Sequence, residues 1–351
     1  MAYTTINKSS DNFNANPYTG NGGTLGVDVG FQPDLTWLKC RDIAYYHRLY
    51  DVIRGVGKSL RSDTTASEET NSGEGLTAFN SDGYTVIQGS NTEYNNNNVD
   101  YASWNWKAGG TASSNTDGST TTSVSVNQTS GFSIVSYTGT SAVATIGHGL
   151  GSIPKMIIVK NLSSGTRKWV VWHHNLSSAS KYLSLNETAA EANDTATWNN
   201  TLPTSSVFSS AGSGEVNQSG DSFIAYCFAE KQGYSKFGSY TGNGNADGTF
   251  IYTGFKPAYV MIKNADAATD WYIYDNKRGG PVAGVYGNNN KYFLKANTNA
   301  AEANESFDMV SNGFKIRISN NFLNGSGNTL IYMAFAEAPL VGTNNVPATA
   351  R

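Results

Sequence analysis

Charge is scarce in this chain: Asp, Glu, Lys and Arg make up 15% of its 351 residues, and the formal net charge is -3. A balance so close to zero leaves no electrostatic footprint for nucleic acid, which is therefore not expected as a partner. No apolar run reaches the roughly 18 residues needed to cross a bilayer, and Met1 to Ser10 contains no secretory apolar region, so membrane insertion is not expected either. Cysteine is nearly absent. Cys40 and Cys227 are read as two reduced, buried side chains rather than a staple, which places synthesis in a reducing cytoplasm. Proline numbers only 8 and histidine only 4.

What the chain does have is 37 Gly, 20 Tyr, 7 Trp and abundant Asn, Ser and Thr. Disordered chains carry few aromatics and much charge, so this one is expected to fold. Turn formers beside β-favouring residues point to short strands joined by many turns.

The strongest signal is a repeat. Tyr-Thr-Gly occurs at Tyr18-Thr19-Gly20, Tyr137-Thr138-Gly139 and Tyr240-Thr241-Gly242. Each is followed by a Gly and a Pro (Gly30 and Pro33, Gly151 and Pro154, Gly254 and Pro257), and a Lys stands six residues beyond each Pro: Lys39, Lys160, Lys263. The period, about 100 to 120 residues, is far above that of a solenoid or propeller blade and suits a whole small domain.

Within the second copy, Phe132 to Tyr137 begins with the alternation of a half-buried strand, and Lys155 to Lys160 is an apolar run too short for a helix. Trp169-Val170-Val171-Trp172, Lys181 to Leu185 and Phe223 to Phe228 add further strands. The third copy echoes these at Trp271 to Tyr274, Lys291 to Leu294, Gly313 to Ile318 and Leu330 to Phe335. The first is more divergent, with His47 to Asp51, Gly83 to Ile87 and Tyr101 to Trp106. Six to eight short strands per copy predict an all-β chain of sandwich domains. The expected boundaries are 1–107, 131–232 and 233–338 for the three copies. A loose Gly/Ser/Thr-rich linker at 108–130 joins the first two, with Ser123 to Val126 able to add an edge strand. An extended or disordered tail is expected at 339–351.

Candidate chemistry is sparse. Glu68, Glu191 and Glu302 recur five residues after Asp63, Asn186 and Asn297. A Thr or Asn three residues before each Glu predicts a capping box on a one-turn helix; calcium binding by Asp63 and Glu68 is the alternative. Lys39, Lys160 and Lys263 are read as solvated strand ends or edge guards, with a binding role as the alternative. His173 and His174 are adjacent, and adjacent strand residues face opposite ways, which argues against a shared metal. His47 and His148 stand alone. No nucleophile elbow, phosphate loop, zinc-protease helix or dinucleotide fingerprint is present, and nothing singles out a catalytic pair among the 27 acids. No catalytic, cofactor-binding or metal residue is assigned, no cofactor is expected, and the chain is expected not to be an enzyme. Aromatic rings beside Asn and Asp suit the stacking and hydrogen bonding of neutral sugars, although most of these aromatics lie in strand patterns and are read as core.

Several segments resemble structural proteins of marine tailed bacteriophages: Met1 to Ser10, Gly30-Phe31-Gln32-Pro33-Asp34, Trp104 to Gly110, Ile146 to Gly151, Gly233 to Gly242 and Ala334 to Pro339. The resemblance covers nearly the whole chain. It implies repeated concanavalin A-like (jelly-roll) domains on a virion surface and carries over no catalytic or ligand residue.

The expected function is therefore that of a bacteriophage virion surface protein, made in the host cytoplasm. Host attachment leads, as a tail fibre or receptor-binding appendage contacting host surface glycans through many weak sites. A capsid decoration or head-fibre protein is the alternative, with three domains in one chain mimicking a trimer over a threefold site. A virion-associated glycan-degrading enzyme is third. The expected partners are other virion proteins of tail or capsid, with homo-oligomerisation as a further possibility.

Overall fold

The computed structural model describes residues 3–279, 292–305 and 307–341; Met1, Ala2, Lys291 and residues 342–351 of the expected tail lie outside them. Among the described residues the chain is all-β. Its strands pair antiparallel, and three four-residue helices and one 3-10 turn complete it.

The three sequence repeats form three units with one strand order. The first unit's large sheet runs Phe13–Thr19, Asp100–Trp106, Leu35–Cys40, Arg48–Asp51. The second runs Phe132–Thr138, Ser222–Phe228, Met156–Asn161, Trp169–His173, and the third Ser235–Thr241, Thr329–Pro339, Phe255–Asn264, Trp271–Asp275. A smaller sheet overlies each one. It comprises Thr24–Asp28, Gly83–Ile87 and Gly75–Asn80 in the first unit, and Ala144–Gly147 with Val207–Ser210 in the second. In the third it comprises Phe250–Tyr252, Gly313–Ile316 and Phe307–Val310. Each unit is thus sandwich-like.

Continuous apolar strands are explained by burial on both faces. Ile157 and Val159 point into the second unit's own core, whereas Met156 and Ile158 point the other way. Val260 and Ile262 alternate with Tyr259 and Met261 in the same manner. The residues pointing away from the small sheets meet in a core shared by all three units. Among the described residues that shared core holds 36 buried side chains, against 17, 17 and 9 in the units' private cores. Each unit therefore draws a large part of its apolar burial from a core that it does not own alone. At its centre three equivalent aromatics touch: Trp106 and Phe228 have ring centroids 6.3 Å apart, Phe228 and Phe335 6.0 Å, and Trp106 and Phe335 5.7 Å. The packing leaves a void of only about 10 Å³ beside them.

The stretch 108–130 is not loose. Ser113–Asn115 and Thr122–Asn127 pair with each other, and the latter pairs with Phe132–Thr138, extending the second unit's large sheet to eight strands. Val124 is buried in that unit's core, and the Asp34 carboxylate accepts from the Ala108 N–H at 2.7 Å. Polar composition concealed an alternation whose buried face is short.

Candidate functional site

The recurring sequence features converge on the junctions between units. The N–H of Glu68 donates to the Leu162 carbonyl of the second unit at 3.0 Å, that of Glu191 to Ala265 of the third at 2.7 Å, and that of Glu302 to Arg41 of the first at 2.7 Å. Three equivalent bonds running first to second, second to third and third to first close a ring. No helix forms at any of these glutamates, so the capping-box expectation fails. The backbone N–H that a helix would have left unpaired is instead taken by a neighbouring unit. The Glu68 and Glu191 carboxylates pair within their own units, with Arg54 and Lys58 and with Lys181, whereas that of Glu302 also crosses its junction. Glu302 accepts from Arg41 across the third junction at 2.9 Å and from Arg278 of its own unit at 2.9 Å.

The lysines are not solvated. Lys39, Lys160 and Lys263 are 1%, 0% and 0% exposed. Lys160 Nζ donates to Thr65 O of the first unit and Arg167 O, and Lys263 Nζ to Thr188 O of the second unit, Asn264 O and Ala267 O. Lys39 Nζ donates to Cys40 O. Desolvation by burial lowers all three ammonium groups to about 8. The strand ends look open only within one repeat; the adjoining unit covers them.

Ring N–H groups repeat the pattern. Trp169 Nε1 donates to Arg61 O at 2.8 Å and Trp271 Nε1 to Ser184 O at 2.9 Å. His47 occupies the equivalent place with Nε2 2.9 Å from Lys295 O. Its Nδ1 accepts from Trp37 Nε1 at 2.8 Å, which assigns the proton to Nε2 and keeps the ring neutral. Asp63, Asn186 and Asn297 are likewise equivalent: the two amide oxygens accept from the backbone N–H groups of Trp169 and Trp271, while burial pushes the Asp63 carboxyl up to about 7.

His173 and His174 do face the same way, with ring centroids 5.0 Å apart, because the strand ends at His173. Both Nε2 atoms approach carbonyls of the third unit, Tyr332 O at 3.2 Å and Phe237 O at 3.0 Å. Burial lowers His173 to about 3. Among the described residues no cluster of three or more His, Cys, Asp or Glu could hold a metal, and Asp63 and Glu68 form no calcium site.

The Tyr-Thr-Gly signature is a clamp. Tyr18, Tyr137 and Tyr240 donate their hydroxyls to Tyr94 O, Val216 O and Leu323 O. The next residues, Asn95, Asn217 and Asn324, are fully buried and accept from the N–H groups that follow the three glycines. A Cβ at Gly20, Gly139 or Gly242 would lie 2.1, 2.1 or 2.2 Å from a carbonyl oxygen of the opposing turn. Sequence reading missed these asparagines in an Asn-rich chain. Their signal is a fixed place, five residues before the last strand of each large sheet.

With these residues assigned to architecture, two of the surfaces formed by the described residues combine a cavity with groups suited to binding. A groove of about 530 Å³ runs along the junction of the first and second units. It is lined by hydroxyls of Ser123, Ser136, Thr138 and Ser163 beside Arg54 and Glu68. Its one guanidinium is already held by Asp51 at 2.6 Å, so the groove offers hydrogen bonds rather than charge. The second surface lies on the third unit, where Phe250 and Tyr252 are 45% and 54% exposed. Tyr252 also borders a pocket of about 330 Å³ with Tyr3, Glu230, Gln232 and Lys236.

These features define an all-β, sandwich-like protein of three units closed into a ring, with shallow polar and aromatic surfaces. A family model described as a domain of unknown function (DUF7483) matches residues 8–339, and the chain belongs to that family. The match runs through all three units as one body. No curated protein matches the chain.

Proposed function

We propose that this chain is a non-enzymatic surface protein of a bacteriophage particle, built from three concanavalin A-like (jelly-roll) sandwiches and docking as a single-chain pseudo-trimer. The observation that carries the reading is the ring of equivalent junction bonds at Glu68, Glu191 and Glu302. A chain that reproduces threefold geometry within itself matches a threefold or quasi-threefold position on a capsid or tail, where one copy can meet three equivalent partner subunits. The reaction-bearing residue types that recur in the repeat are engaged in structural hydrogen bonds, which supports binding and architecture over catalysis.

Light scattering of the purified protein should give a monomer. A reconstruction of the intact virion should show one copy centred on a threefold or quasi-threefold position; density at sites of other symmetry, or absence from the particle, rejects the proposal.

The second reading is host attachment, with the protein as a tail fibre or receptor-binding appendage contacting surface glycans. The exposed aromatic surface of the third unit favours it. Competition of purified protein with phage adsorption tests it: adsorption unaffected by saturating protein rejects attachment.

A further inference from the structure

The three units supply an internal comparison. The outward face of each small sheet occupies the same place in each unit, and the ring alone gives no reason for the three faces to differ. They differ sharply. On the strand Thr24–Asp28 of the first unit the outward positions are Gly26 and Asp28, flanking the inward Val27. In the second unit they are Thr145 and Gly147, flanking Ile146, and the loop before Thr122 covers them. Thr120 bridges to Ile146, and the Ser119 N–H donates to Thr145 Oγ1 at 2.8 Å. In the third unit they are Phe250 and Tyr252, flanking the inward Ile251, and both rings stand in solvent. One face is bare, one is covered and one is aromatic.

The surroundings of the aromatic pair specify what it would hold. Phe250 lies in register with Lys315, which lies in register with Asp308 on the next strand. Tyr252 is opposite Gly313, where an added Cβ would lie 2.0 Å from Ile251 O and 3.2 Å from the Phe250 ring. The positive groups are matched: Lys315 pairs with Asp247 at 2.7 Å and Arg317 with Asp308 at 2.5 Å. The face is therefore neutral overall while rich in donors and acceptors. Beyond the edge of Tyr252 the pocket of about 330 Å³ adds Glu230, Gln232 and Lys236. The Tyr3 hydroxyl, which donates to Gly254 O at 2.8 Å, fixes one wall of that pocket.

We infer that the outward face of the third unit's small sheet is a binding platform for an uncharged saccharide chain. The apolar faces of sugar rings stack on Phe250 and Tyr252, and their hydroxyls meet the paired charges and the adjoining pocket. A protein partner is the poorer fit. Two half-exposed rings offer on the order of 200 Å², against roughly 800 Å² per side in a stable protein interface. This inference deepens the attachment reading, not the particle-docking one, by placing the glycan contact in one unit of three.

The test is binding of the purified full chain to an array of bacterial capsular and O-polysaccharides, followed by affinity electrophoresis in gels containing the best neutral binder. Wild type should be retarded. Phe250→Ala and Tyr252→Ala should each weaken binding by about tenfold or more, as truncating a stacking anchor does, and Val143→Ala, at an exposed position of the second unit, should not. Tyr252→Leu, which keeps apolar bulk without a ring, should lose binding while melting at the wild-type temperature. Binding retained by the Phe250 and Tyr252 variants overturns the platform and leaves the attachment reading standing. No binding to any polysaccharide overturns the platform and glycan attachment together. Wild-type self-association that Tyr252→Ala abolishes also overturns it, because the face then serves a second copy.

Discussion

His173 shows how a single side chain makes a junction sensitive to acid. Its ring is buried between the second and third units and titrates near 3, far below the ordinary histidine value. The folded state thus binds fewer protons than the unfolded chain at every pH between about 3 and 6.5. Stability present above 6.5 is lost as the pH falls through that window. At pH 5 the loss amounts to roughly 2 kcal/mol. We expect His173→Gln to lower the melting temperature at pH 7.5, yet to flatten its fall between pH 7.5 and 5; an unchanged slope in thermal scans would assign the acid sensitivity elsewhere. Gly139→Ala probes a different limit, since the added Cβ would meet Gln218 O at 2.1 Å. A loss of about 3 kcal/mol or more, read by denaturant titration, is expected from forcing that turn apart. The Tyr-Thr-Gly motif was plain in the sequence as a repeat, but its role was not. The asparagines that accept from the N–H groups following it lie 74 to 81 residues away, and sequence spacing carries no record of which distant turn closes on it.

Strands were the most legible elements, because a run such as Met156–Asn161 opens with four apolar residues that alternate between the two cores. The errors fell where one unit meets the next. A lysine at the end of a strand looks solvated until a neighbouring chain segment covers it, and a Thr-x-x-Glu sequence looks like a helix start until a carbonyl from another unit takes the N–H. The segment 108–130 was legible only at Ser123 to Val126, where the expected strand forms within Thr122–Asn127; most of the remaining length is hydroxyl-bearing and hides the side that packs. Lys263 offers a test of the covered strand end. Its ammonium donates to three carbonyls, one of them across a junction. Lys263→Met fills the volume and leaves those oxygens unpaired, so a loss of about 2 to 4 kcal/mol at pH 7 is expected. In the wild type the ammonium, lowered to about 8, gives up its proton in the folded state at lower pH than in the unfolded one. Stability should therefore gain from this group as the pH rises from about 8 towards 10.5, and the Met variant should lack that gain.

At the scale of the molecule, the shared core is the largest single apolar cluster among the described residues and draws on all three units. The three repeats should accordingly unfold in one calorimetric transition, and residues 131–232 made alone should expose that face and fail to fold. Each junction is of the head-to-tail kind, which closes only if three units are present. A chain of residues 1–232 would display one unmatched face at each end and should form concentration-dependent oligomers in sedimentation velocity. Three separate melting transitions, or a monomeric two-unit chain, would contradict the shared core. The repeat number was visible in the sequence, but the closure was not, because it depends on pairs such as Arg41 and Glu302 that lie 261 residues apart.

The same closure has a consequence for how the protein can change. In a trimer of identical chains every substitution appears three times, so a new surface must suit all three positions at once. Here the positions are written separately, and Gly26, Thr145 and Phe250 already differ at equivalent places on the outer sheets. One unit can acquire a new specificity while the other two keep their surfaces unaltered.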